Sequence, residues 1–93
     1  MEKNDIASVL DEIATFMELT GENPFKIRAY SAGARILENM TEDLGELIDG
    51  GKLAEIPGLG EALVDKITTL RRDGVLPFHQ KLKASIPAGL LEV

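Results

Sequence analysis

Apolar residues recur at spacings of three and four along most of this chain, the period of helices that bury one face. Ile6, Val9, Leu10, Ile13, Phe16 and Met17 form the first stripe. Asn4 stands at its N-cap position, Asp5 is the acid that a helix N-terminus favours, and Gly21 ends it. A second helix begins at Pro24, where a missing N–H costs nothing. Phe25, Tyr30, Ala34 and Leu37 give it an inward face, and the small Ala29, Ala32, Gly33 and Ala34 admit a neighbouring helix closely. Thr41-Glu42-Asp43 opens a short helix with Leu44, Leu47 and Ile48, closed by Gly50-Gly51. Lys52 to Glu55 make one more turn. Leu63, Ile67 and Leu70 mark a helix from about Gly60 to Asp73, after which Gly74 suits a left-handed C-terminal residue. The last helix starts near Pro77, with Leu82 and Ile86 inward, and Pro87 and Gly89 close it. No segment alternates at period two. The expected fold is all-α: a compact bundle of four main helices without a sheet, one domain over residues 1–93, with short connections. Phe16, Met17 and Phe25 are expected in the core and His79 on the surface.

The 93 residues, 44% hydrophobic and 28% charged, suffice for one modest core. The absence of cysteine excludes a disulfide scaffold, a thiolate metal site and a cysteine nucleophile. With a single histidine, no zinc site is expected. No apolar run approaches the roughly 20 residues that span a bilayer. Met1-Glu2-Lys3-Asn4-Asp5 has no secretory pattern, so the expected compartment is the cytoplasm. The net charge of −6, from 16 acids and 10 bases, speaks against a nucleic-acid partner if taken whole. Its distribution changes that picture. Residues 26–35 hold Lys26, Arg28 and Arg35 and no acid; residues 66–83 hold Lys66, Arg71, Arg72, Lys81 and Lys83 against Asp73 alone. Brought together in space, these two segments would make a cationic stripe on an acidic molecule.

The most informative stretch runs from Leu53 to Ile67, within a helix-hairpin-helix spanning about residues 52–73. In Pro57-Gly58-Leu59-Gly60, proline stops the first turn and Gly58 takes a positive φ. Gly60, without a β-carbon, leaves room for another backbone. Ile56 and Leu59 anchor the bend in the core. The amides of Gly60, Glu61 and Ala62 open the next helix without intrahelical partners, a site for a phosphate oxygen. Contact through backbone amides carries no base information. Gly58-x-Gly60 is not a dinucleotide fingerprint, since Leu63 stands at the third glycine position and no strand precedes it.

On these residues the chain resembles the amino-terminal domain of family X DNA polymerases, the DNA polymerase beta group, particularly its bacterial and archaeal members. The matching segments are Asn4-Asp5-Ile6-Ala7, Glu22-Asn23-Pro24-Phe25-Lys26-Ile27-Arg28-Ala29-Tyr30, Gly51-Lys52-Leu53-Ala54-Glu55-Ile56-Pro57-Gly58-Leu59-Gly60 and Asp65-Lys66-Ile67. Pro87 to Val93 resemble the lead-in to that family's second helix-hairpin-helix, so a polymerase body is expected to follow Val93, or the domain stands alone. The resemblance implies a DNA partner that is gapped, nicked or single-stranded, held at its 5′-phosphate side as part of DNA repair. It implies DNA contacts at Lys26, Arg28, Tyr30, Gly58, Gly60, Glu61, Ala62 and Lys66. It further implies a 5′-deoxyribose-phosphate lyase in which Lys66 forms the Schiff base and Tyr30 and Asp65 stand nearby, with no cofactor. The carbonyls of Ala54, Ile56 and Leu59 match a site for Na⁺ or K⁺. Ala54, Glu55, Ala62, Val75 and Phe78 occupy positions that are basic in vertebrate lyase domains, and Phe25 replaces a histidine. The palm aspartates of polymerase chemistry are absent, including the Asp-x-Asp pair.

A lyase lysine must attack as the neutral amine, whereas an exposed lysine with a pKa of about 10.4 is protonated. Lys66 borders the apolar face Leu63-Ile67-Leu70, which favours partial desolvation, while Asp65 favours the charged form. Three functions therefore stand together at this level: DNA-backbone binding, a lyase acting through Lys66, and a helical protein-interaction domain.

Overall fold

A computed structural model describes residues 2–85. Five α-helices and one 3-10 turn make up the regular structure: α1 (Lys3–Leu19), α2 (Pro24–Asn39), α3 (Leu44–Asp49), the turn Leu53–Glu55, α4 (Glu61–Asp73) and α5 (Pro77–Ser85). The described residues contain no strand, as the periodicity predicts. The four expected main helices are α1, α2, α4 and α5, and the expected short helix with Leu44, Leu47 and Ile48 is α3. The expected inward Ile86 and the closing Pro87 and Gly89 lie outside the described residues.

α1 starts two residues before the position its sequence predicts. Glu2, not Asn4, is the N-cap, with extended backbone. The Asp5 carboxylate accepts the Glu2 N–H at 3.2 Å, which satisfies an amide that would otherwise end the helix later. Asn23 caps α2 through its side-chain oxygen, which accepts the Phe25 N–H at 2.8 Å. Asp43 does the same for α3 through the Glu46 N–H at 3.1 Å. α4 ends at Gly74 with φ 75°, the left-handed closure expected from the sequence.

α1 packs most extensively on α2, and Lys3 Nζ donates to the Met40 carbonyl beyond the far end of α2. Ile6, Leu10 and Ile13 of α1, Leu37 of α2, Leu53, and Ile67 and Leu70 of α4 are fully buried. Each such side chain contributes about 1.5–3 kcal/mol of transfer free energy. Of the small residues of α2, Gly33 and Ala34 are buried as the sequence predicts, whereas Ala29 and Ala32 are exposed. A β-carbon on Gly33 would lie 3.1 Å from Leu63 Cδ1 and 3.6 Å from Leu59 Cδ2, so glycine lets α4 and the bend before it settle directly on α2.

Two expected placements are corrected. Phe25 is not core: it is 76% exposed. At 100° per residue it projects about 140° away from Tyr30 around the helix, off the stripe formed by Tyr30, Ala34 and Leu37. His79 is not a surface residue: it is buried, stacked on Phe16 with ring centroids 6.0 Å apart, and its Nε2 lies 3.1 Å from Glu12 Oε1. Together with Leu76 it docks α5 on α1.

Candidate nucleic-acid interface

The hairpin follows from a few local bonds. Ile56 N–H donates to the Leu53 carbonyl and Leu59 N–H to the Ile56 carbonyl, each at 3.2 Å, closing two successive turns. Gly58 sits at the tip with φ 93°. Leu59 is buried and Ile56 packs against the core, so two apolar anchors hold the bend down as expected. Gly60 is the N-cap of α4, in extended conformation and with no side-chain cap. Its carbonyl accepts the Val64 N–H at 3.0 Å, whereas the amides of Gly60, Glu61 and Ala62 find no acceptor among the described residues. Space for a β-carbon on Gly60 is open, with no atom of the chain within 4 Å. The room left by this glycine thus faces outward.

Beside this helix start lies a cleft of about 390 Å³ that joins α2, α4 and α5. Lys26, Tyr30, Gly60, Ala62 and Lys66, all singled out from the sequence, line it together. Lys66 is half-buried, with Nζ 4.8 Å from the ring centroid of Phe78 and 5.8 Å from that of Tyr30. These two rings lie nearly parallel, 6.1 Å apart. Tyr30 is therefore a packed side chain whose surface still contributes to the cleft.

Other expected site residues fall elsewhere. Arg28 is exposed and holds its guanidinium 5.8 Å from the Phe25 ring, outside the cleft. Asp65 and Glu61 are exposed on α4 and do not line it, and Gly58 stands apart at the bend tip. Among the described residues no carboxylate pairs with Lys66. Of the two basic segments, Lys26 and Lys66 meet, but Arg35 is drawn to Asp11 at 3.6 Å and Glu38 at 3.8 Å. Arg72 pairs with Asp73 at 3.1 Å, and this hydrogen bond holds the Asp73 carboxyl below its ordinary value. The carbonyls of Ala54 and Leu59 accept no backbone hydrogen bond outside helices among the described residues, and that of Ile56 accepts one, so all three keep free lone pairs.

Sequence reasoning missed Glu22 and Phe78 as cleft residues. Glu22 lies one turn before Lys26, a spacing that could have pointed to it; for Phe78 the sequence carried no such signal. No helix of the described residues is long and apolar enough to cross a membrane.

Known proteins resemble this chain in sequence. A helix-hairpin-helix domain family matches residues 1–76. A curated relative, the DNA polymerase/3′-5′ exonuclease PolX of Bacillus subtilis (strain 168), is 33% identical over 91 residues. The match takes in 98% of this chain and 15% of that protein, so the chain spans under a sixth of the relative's length. With the bend, its uncapped helix start and its flanking lysines in place, the chain belongs to the helix-hairpin-helix domain family.

Proposed function

We propose that this domain binds DNA through its sugar-phosphate backbone, without reading base sequence, at gaps, nicks or single-stranded stretches, as the amino-terminal module of a family X repair polymerase. The observation that carries this reading is the convergence of Lys26, Lys66, Gly60 and Ala62 on one cleft, at a helix start whose first amides have no acceptor among the described residues. Two cations and a row of outward amides recognise phosphodiester oxygens and leave the bases unread. The free carbonyl lone pairs of Ala54, Ile56 and Leu59 would hold a Na⁺ or K⁺ ion at the hairpin, supplying a positive charge near a bound phosphate.

For Lys66 the geometry favours a phosphate contact over a nucleophile. Covalent catalysis needs the uncharged amine, whereas the faces of Tyr30 and Phe78 attract the ammonium ion. Borohydride trapping on a nicked duplex bearing a 5′-deoxyribose phosphate decides between them. Trapping that Lys66→Ala abolishes would establish the lyase instead.

Binding is tested by fluorescence anisotropy on a gapped duplex over a salt series. Two lysine–phosphate contacts give a slope of log affinity against log salt of about −1.8, a loss of about tenfold between 50 and 200 mM. Lys26→Ala flattens the slope by about one. An absence of affinity at low salt would reject the reading and leave the protein-interaction alternative.

A further inference from the structure

We infer that Gly33 of α2 is a positioning residue for the hairpin: by lacking a β-carbon it sets the height at which the Gly60, Glu61 and Ala62 amides are held for a DNA strand. The inference rests on the backbone-binding reading and assigns a further residue to that site.

Gly33 is buried in the interior of α2, and its φ is not in the positive range that favours glycine. Glycine inside a helix is less favourable than alanine, because it loses more conformational freedom on folding. Space is the remaining reason for it. Around the point where a β-carbon would stand, three side chains converge: Leu63 Cδ1 at 3.1 Å, Leu59 Cδ2 at 3.6 Å and Leu10 Cδ1 at 3.7 Å. All three leucines are buried. Carbon atoms rest about 3.5–4.0 Å apart. Gly33→Ala therefore pushes Leu63 back by a few tenths of an ångström, while Leu10 is already at an ordinary contact distance.

The movement falls on the hairpin side, because α1 holds α2 through the most extensive packing of the fold. Leu59 and Leu63 bracket Gly60, Glu61 and Ala62 in the chain. The two leucines resting on Gly33 thus carry between them the three amides that have no acceptor among the described residues. A shift of the leucines is a shift of the amides. Main-chain donors have no freedom to compensate, and a binding site of this kind works within about 0.5 Å of its productive geometry. Lys26 and Lys66 differ in this respect, since a long flexible stem lets an ammonium group follow a displaced strand.

Fluorescence anisotropy on a gapped duplex over a salt series tests the assignment. Lysine contacts release counterions and set the salt slope, whereas uncharged amides leave it alone. Gly33→Ala is expected to lower affinity by about tenfold at every salt concentration with the slope unchanged, the loss of one hydrogen bond to a charged oxygen. Leu63→Val deletes Cδ1, so adding it to Gly33→Ala returns affinity to within about twofold of Leu63→Val alone. If Gly33→Ala does not fold, that comparison decides. Gly33→Ala within about twofold of the unaltered chain, a loss accompanied by a flatter slope, or a double variant still about tenfold weaker than Leu63→Val would overturn the proposal while leaving backbone binding intact. No anisotropy change with the unaltered chain would remove both readings.

Discussion

Replacing Gly58 by alanine tests whether the hairpin is bent as described. The residue has φ 93°, and an ideal β-carbon there lies 2.7 Å from Ile36 Cδ1. Two costs follow. A left-handed backbone costs an L-residue about 1–2 kcal/mol. The contact is with the tip of the partly exposed Ile36 side chain, which turns aside at a further cost of about 0.5–1.5 kcal/mol. The sum, about 1.5–3.5 kcal/mol, is measured by urea unfolding. Its lower bound alone brings Tm down by roughly 6–12 °C for a domain of this size. A double-mutant cycle separates the two costs. Ile36→Val deletes Cδ1, so in the Gly58→Ala background it recovers the steric part, and the coupling energy is about 0.5–1.5 kcal/mol. The backbone part remains. Gly58→Ala within about 0.5 kcal/mol of the parent would refute the positive φ, and full recovery by Ile36→Val would refute the claim that backbone conformation contributes.

Two further outcomes are expected. His79→Ala removes a buried ring from between Phe16 and Glu12 and lowers the urea-unfolding free energy by about 1–3 kcal/mol, whereas Glu12→Gln, which keeps the acceptor oxygen, changes it by less than about 0.5 kcal/mol. Arg72 depresses the Asp73 carboxyl, so their pairing stabilises the fold above the ordinary Asp range and is lost as pH falls through the lowered value. A carboxyl-carbon NMR titration follows this directly, and Arg72→Ala moves the Asp73 midpoint upward.

Most helices were legible because their apolar stripes are long and their ends carry residues with one conformational meaning. Pro24 starts α2, and Gly58 and Gly74 take the positive φ predicted for them. The failures are equally specific. The start of α1 was misplaced because Asp5 reaches back to Glu2, a reciprocal bond that outweighs the intrinsic capping preference of Asn4. Phe25 was assigned inward on hydrophobicity, although its angular position disagrees with Tyr30. His79 was assigned outward on polarity, although His79, Leu82 and Ile86 continue the i, i+3, i+7 spacing of one face. In both cases periodicity held more information than residue type. The cleft was half legible: motif positions identified Lys26, Tyr30 and Lys66, but Glu22 and Phe78 join them only through the crossing of α2, α4 and α5.

That crossing bears on what the smallest working unit is. The hairpin supplies the bend and its amides, yet one lysine and both aromatic rings of the cleft are carried by α2 and α5. A peptide copied from residues 52–73, or the same loop grafted into a foreign scaffold, would inherit a tight corner stripped of its grip. Under the proposed function, selection on DNA binding can therefore act at two helices remote in sequence while the glycine-rich signature stays untouched, and relatives with identical hairpins are free to differ in what they retain.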